Sequence, residues 1–484
     1  MVGQVIDDPF SVLSKGEQKL RSGNKFGVLL SVVLRLQEKY FPRRPEFTYG
    51  EYDRLLRDSS TCWPVRQRAH RLYLDATREI AQSKGFVEGE LRVLYFATNS
   101  LPYTNSGYSL RTHQLVSALA GNGVDIRVVT RVGYPNCVGI PVSGRVQDVE
   151  GIKYHRLLPL WVPIGRRKRF EKSVALLVSL AEEQGATLLH CTSGFQNAQL
   201  VSQAADRLGI PWVYEIRGEP HLTWLSRFSA AEKPRAQLSF LFRQSVSMEL
   251  RAAKKAAMVF SISHVIADSL RGAGVARNKI LVVPNGIESS WLEDETTKEQ
   301  AFEATELSSQ RFVGSISALV EYEGLATLIQ SIPLLPRDVS VLLVGDGTAR
   351  KSLEEQAAQL GVRDRVVFAG KRPNREMVNW YKCLDAFVIP RTNDEVCRRV
   401  TPIKGLMAQA LGIPVVASDL PALREVTHGQ ATYVTPDDPR ALSNAINRVL
   451  DSPETVSPAG VRDFTWKSIS LEMGEAYRQL KKRD

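Results

Sequence analysis

The chain predicts an α/β protein of two facing, doubly wound domains with an N-terminal helical extension. Three observations lead there. Its 484 residues are about three times a usual domain length, which sets the expectation at two or three domains. From residue 91 onward, short β-branched runs alternate with amphipathic stretches, the pattern of a parallel sheet covered by helices. The alternation breaks once, over residues 288–310, where Glu, Asp, Thr, Ser and Lys leave no apolar period.

In chain order, the first strand is read over residues 91–97 (LRVLYFA). A Gly-bearing loop follows, then a helical pattern from Ser109 with Leu115, Val116 and Leu119 on one face. Strands are expected over 125–130, 187–191, 211–215, 258–261 and 280–283, with a helix over 198–208. The last of these strands stops at Pro284-Asn285-Gly286, a strong turn signal. A second alternation begins at Arg311. Its strands are read over 339–344, 365–369, 386–390, 414–417 and 431–434, and its helices over 349–360, 375–384, 403–411 and 441–450. The domain expectation is therefore a helical extension over 1–90, a Rossmann-like domain over 91–287, a linker over 288–310, a second Rossmann-like domain over 311–455 and a helical tail over 456–484. In such sheets a ligand is expected outside the carboxyl ends of the strands.

Composition narrows the class. Hydrophobic residues at 43% and charged residues at 24% are ordinary globular values and exclude a wholly disordered chain. No apolar run reaches the roughly 18 residues of a membrane span. The opening ten residues carry Asp7 and Asp8 rather than a basic-then-apolar leader, so a cytoplasmic location is expected. The 63 basic and 52 acidic residues leave a net charge of +11, which favours an anionic partner without choosing it. Five scattered cysteines, none spaced as CxxC, and seven histidines without HExxH spacing speak against a disulfide framework or a zinc site. Neither metal nor cofactor is expected, and no aromatic-basic motif supports a nucleic-acid partner.

Two segments carry chemistry. Asn105-Ser106-Gly107-Tyr108-Ser109 lies between the first strand and its helix, where a glycine lets backbone amides approach an anion; a plain connection reads equally from those residues. Pro390-Arg391 and Val400-Thr401-Pro402-Ile403-Lys404-Gly405 lie between a strand end and a helix start. Amides at that start, with Arg391 and Lys404, form a candidate diphosphate cradle, and a solvated basic loop is the alternative.

Val282-Val283-Pro284-Asn285-Gly286-Ile287-Glu288 resembles the "VPNGID" turn of glycosyltransferase family 4, the retaining GT-B enzymes. Val344-Gly345-Asp346-Gly347, Phe368-Ala369-Gly370, the stretch from Asp385 to Arg391, Gly412-Ile413-Pro414-Val415-Val416-Ala417-Ser418 and Glu425 follow in the family's order. The resemblance spans roughly residues 91–455. A narrower subgroup is matched by the opening over residues 100–113, by Tyr322-Glu323-Gly324-Leu325, and by a "VTPLK"-like helix start at Val400–Lys404.

The resemblance implies a retaining transferase that moves a hexosyl group from a nucleotide sugar to an acceptor hydroxyl, in bacterial surface polysaccharide or glycoconjugate synthesis. It implies a UDP- or GDP-hexose donor in the C-terminal domain and a glycan or lipid-linked acceptor in the N-terminal one, with no bound metal. The catalytic task is electrostatic, stabilising a leaving diphosphate while an oxocarbenium-like sugar forms. Gly107, Arg391, Thr401, Ile403, Lys404 and Glu425 are the expected donor-binding residues, and His190 and Arg217 the candidate catalytic ones.

Several positions depart from the family pattern. The two glutamates usual around the diphosphate loop are Arg399 and Met407, Glu323 stands where a lysine is usual, and an H-x-H strand end reads His190-Cys191-Thr192. These keep a second reading open: a GT-B protein without turnover that serves as a nucleotide-sugar-binding or scaffold subunit. Individual residues carry alternatives too. His190 reads equally as a core histidine, and Arg217 as the ion-pair partner of Glu215 or Glu219. Arg166, Arg167, Lys168 and Arg169, bracketed by Trp161, Ile164 and Phe170, read as a solvated loop or as a dock for an anionic membrane surface on the inner face of the plasma membrane.

Overall fold

The structure is a computed structural model that describes residues 77–85, 89–160, 166–452 and 458–481. The helical extension expected over 1–90 lies outside the described residues except for 77–85 and 89–90. The chain divides into two compact units, one formed by residues 1–216, 227–259 and 477–484 and the other by 217–226 and 260–476. Neither unit is one continuous stretch of sequence.

The first sheet has the order β3-β4-β2-β1-β5-β6-β7-β8. Its strands are β1 (Arg92–Ala97), β2 (Asp125–Thr130), β3 (Val146–Val149), β4 (Ile152–Arg156), β5 (Leu188–Thr192), β6 (Trp212–Ile216), β7 (Val259–Ser261) and β8 (Ile280–Val282). Parallel pairing joins β1 to β2 and β5, and β2 to β4. The edge strand β3 pairs antiparallel with β4. The β3–β4 hairpin was not legible in the sequence, because "VQDV" is half polar. The helices Gly107–Gly121 and Phe195–Leu208 follow β1 and β5. Fully buried Leu115, Val116 and Leu119 line the inner face of the first helix, each burial contributing roughly 1.5–3 kcal/mol relative to exposure.

The second sheet is parallel throughout its recorded pairings and has the order β11-β10-β9-β12-β13-β14. It comprises β9 (Arg311–Ile316), β10 (Val339–Val344), β11 (Val366–Gly370), β12 (Ala386–Ile389), β13 (Val415–Ser418) and β14 (Thr432–Val434). Val313, Val341, Leu343, Ala386 and Val388 pack with Leu328, Ile329 and Ile446 into one core.

Residues 288–310 are not the featureless crossing that their polarity suggests. Lys298–Thr305 is a helix whose start carries a complete capping box, Thr297 with Gln300. Ala301 and Phe302 are buried, Phe302 lies 6.2 Å from the Phe312 ring, and Lys298 pairs with Asp385. Two buried apolar residues, adjacent in an eight-residue helix, are too few to show a period. The basic run from Arg166 also differs from the loop reading: it opens the helix Arg166–Glu183, with Arg167 90% exposed and paired to Glu171.

Candidate donor site in the second unit

The second sheet grows outward from β9 in one direction through β10 and β11, then resumes on the other side of β9 with β12. The point where strand order reverses, between β9 and β12, leaves a crevice beyond their carboxyl ends. Glu323 lies in the turn that follows β9, and Arg391 lies two residues after β12.

A glycine brings the two together. Gly324 has φ +70°, and a Cβ there would lie 1.8 Å from the Pro390 carbonyl oxygen, so only glycine permits this approach. The Glu323 carboxylate then accepts from Arg391 Nη2 at 3.0 Å and Nε at 3.4 Å. It also meets Lys404 Nζ at 3.0 Å. Arg391 spends its remaining reach on the Val400 carbonyl, 2.9 Å away. Burial pushes the Glu323 carboxyl up, but the Arg391 and Lys404 cations override it and hold the group at about 2. Burial pulls the Lys404 ammonium down and Glu323 opposes that. Lys404 keeps one-fifth of its side chain exposed, against 8% for Arg391 and 6% for Glu323. Of the two cations, Lys404 is thus the more exposed.

The helix expected over 403–411 is Lys404–Ala410, capped by Ile403, so Pro402 stands ahead of its first turn rather than in it. Thr401 is buried; its hydroxyl donates to the Ile262 carbonyl at 3.4 Å, and its own carbonyl accepts from Asn285 Nδ2 at 3.1 Å. Thr401, expected to bind the donor, is by these bonds also the residue that fixes the loop. Tyr381, also buried, holds the helix from behind, its hydroxyl lying 3.4 Å from the Lys404 carbonyl and 3.8 Å from Met407 Sδ.

The other charge-changed position is compensated as well. Arg399 pairs with Glu219 and reaches Ser269 Oγ at 2.8 Å, while its carbonyl accepts from Ser263 Oγ at 3.0 Å. Burial pushes the Glu219 carboxyl up even with Arg399 beside it, and burial together with Arg399 drives His221 down to about 4. Glu425 accepts from the backbone amides of His264 at 2.6 Å and Val265 at 3.3 Å, at the start of the helix His264–Gly272. Its carboxylate, expected to bind the donor, is engaged in this structure at a helix amino end. Sequence reasoning missed Glu323 and Glu219 as partners. The signal was present: an acid in place of a lysine, and an arginine in place of an acid, each demand an opposite charge when buried.

In the first unit the strand order reverses between β1 and β5. Gly107 opens the helix after β1, with Ser106 as its cap accepting from Ser109 N, and a Cβ at Gly107 would meet nothing within 4 Å. His190 on β5 is fully buried. Its Nδ1 lies 2.7 Å from the Tyr477 hydroxyl and its Nε2 3.1 Å from Glu215, while its ring stacks on Tyr95 at 4.1 Å. Glu215 also accepts from Arg111 at 2.8 Å and from the Tyr95 hydroxyl. Burial pushes Glu215 up, but Arg111 and His190 outweigh it and leave the carboxyl below its usual range. Burial lowers His190, with Glu215 only partly offsetting. A histidine engaged at both nitrogens inside the core does not fit the catalytic role expected of it; it positions β1, β5 and β6. Arg217, the other catalytic candidate, belongs to the second unit and is 4% exposed.

Two family models match this chain, and the first of them runs across both compact units. The family model described as "Glycosyl transferase 4-like domain" matches residues 106–286, and the one described as "Glycosyl transferases group 1" matches residues 310–452. A D-inositol 3-phosphate glycosyltransferase of Xylanimonas cellulosilytica is 25% identical over 405 residues, which is 78% of this chain and 92% of that protein. The lipopolysaccharide core biosynthesis mannosyltransferase LpsB of Rhizobium meliloti is 26% identical, over 53% of this chain and 77% of its own. Among solved structures, sucrose-phosphate synthase from Thermosynechococcus elongatus superposes with TM-score 0.65 at 21% identity, covering 82% of this chain and all of that one. Anabaena HepE in complex with UDP and glucose gives TM-score 0.61 at 19% identity, covering 81% of this chain and all of that one.

Proposed function

The chain belongs to the GT-B glycosyltransferases of family 4, and from that premise we propose that Lys404, set on Glu323 and Arg391, holds the diphosphate of its nucleotide-sugar donor. The enzyme is a hexosyltransferase of glycan synthesis; the reading without turnover is not favoured by relatives that are named transferases. The observation that carries the donor-site reading is the buried Arg391–Glu323–Lys404 group at the reversal point between β9 and β12.

The chemistry follows from charge. Departure of a nucleoside diphosphate builds negative charge on the leaving oxygens, and a fixed cation beside them stabilises that transition state without reorganising. Glu323 keeps Lys404 in place before donor arrives, so the ammonium is already oriented, at the cost of dividing its charge between Glu323 and the diphosphate. The first unit takes the acceptor hydroxyl, and the anomeric configuration is retained. UDP- and GDP-hexoses are the donors this reading names. Glycan or lipid-linked acceptors in bacterial surface polysaccharide synthesis are the acceptors. Arg167 and Lys168, both exposed, support attachment to the anionic inner face of the plasma membrane, each basic residue near such a surface contributing about 1 kcal/mol. No helix among the described residues is long and apolar enough to cross a membrane.

A thermal-shift panel of nucleoside diphosphates tests the donor reading. A nucleotide at a hundred times its dissociation constant stabilises the fold by about 2.7 kcal/mol. A flat panel at millimolar UDP, GDP and ADP would reject it.

A further inference from the structure

The first unit holds a recess of about 450 Å³ between the end of β4 and the helix Arg166–Glu183, a volume within the roughly 300–1,000 Å³ of ligand sites. One wall is apolar and aliphatic: Leu157, Leu158, Leu176 and Leu180. At the mouth Leu160 is 100% exposed and Val146 of β3 53% exposed, so apolar surface meets water there with nothing among the described residues covering it. Among the described residues the lining is aliphatic, with no Phe, Tyr or Trp.

Its polar groups are mostly cationic. Among the described residues, Arg145, Arg156 and Lys172 line it with one carboxylate, that of Glu183. His155 also lines it, is 94% buried, being 6% exposed, and its Nε2 has no hydrogen-bond partner. Arg156 is 3% exposed; its terminal nitrogens serve Ser100 and the Leu101 carbonyl, but its Nε is likewise unpartnered. Arg156 follows His155 on β4, so its side chain turns to the opposite face of the sheet; the unpartnered nitrogen on the recess side is His155 Nε2, a standing cost of roughly 1–3 kcal/mol that a phosphate oxygen relieves by accepting from it.

We propose that this recess binds a single-chain lipid phosphate, its alkyl or prenyl chain along the leucine wall and its phosphate toward His155, Arg145 and Lys172. The first unit is thereby a lipid-recognising unit through a built pocket, distinct from the exposed Arg167 and Lys168. The inference does not rest on the donor site: a chain that binds such a lipid and no nucleotide keeps this site and loses the other.

The test is titration calorimetry of the full chain with decyl phosphate below its micelle concentration, against decanol and inorganic phosphate, which separate the chain from the head. Ser179 and Lys172 line the recess and are exposed, so Ser179→Trp fills it and Lys172→Glu reverses its rim charge with little risk to folding, checked by circular dichroism. The expected result is saturable one-to-one binding of decyl phosphate, at least tenfold tighter than either fragment. Lys172→Glu weakens it at least fivefold and Ser179→Trp abolishes it, while the nucleotide thermal shift is unchanged. Absence of saturable binding, equal binding of decanol or of inorganic phosphate, or an unaltered affinity in Ser179→Trp overturns the proposal.

Discussion

Lys404 Nζ lies 3.0 Å from Glu323 Oε1, so the cation best placed for a diphosphate already has an anionic partner. Removing that partner strands two cations, Arg391 and Lys404, in a mostly buried setting. Glu323→Ala is expected to cost about 3–5 kcal/mol of stability, measured by urea denaturation. A loss under 1 kcal/mol contradicts the arrangement.

The same carboxylate predicts a pH dependence. Its folded value of about 2 lies below the ordinary 4.5, so the unfolded chain binds the proton more tightly. The stabilisation is complete above pH 4.5 and is lost as pH falls toward 2, about 3 kcal/mol in all. Glu323→Gln should flatten that part of the stability curve, and an unchanged acid limb would count against it.

Arg399 and Glu219 form the second compensated position, with 23% and 13% side-chain exposure. A double-mutant cycle of Arg399→Ala and Glu219→Ala is expected to give a coupling of about 1–3 kcal/mol. Additive single mutants would show the pair to be incidental.

Much of this was legible in the sequence, and what was not has physical reasons. Buried parallel strands such as β10, "VSVLLV", announce themselves by β-branched runs. The edge hairpin β3–β4 and the helix Lys298–Thr305 do not, because one is half solvated and the other buries two apolar side chains. Arg391 and Lys404 were readable as cations between a strand end and a helix start from their residue types and places. Their restraint by Glu323 was hidden, since it depends on Gly324 closing onto Pro390. The choice between the two readings of His190 was hidden likewise: its partners Tyr95, Glu215 and Tyr477 come from three separate parts of the chain.

Tyr477→Phe follows from that network. It leaves His190 Nδ1 without its 2.7 Å partner and is expected to destabilise by about 1–3 kcal/mol. Donor affinity should not change, and a fall in nucleotide affinity at unchanged stability would restore a functional role to His190.

The account turns most directly on donor turnover by Lys404. Purified chain incubated with UDP- and GDP-hexoses, with released nucleoside diphosphate quantified, should show turnover on at least one donor. Lys404→Ala should weaken affinity for that donor by roughly ten- to hundredfold, the worth of a charge-assisted contact of about 1.5–3 kcal/mol, while the fold keeps its Arg391–Glu323 pair. Release by Lys404→Ala at the wild-type rate and affinity would contradict it.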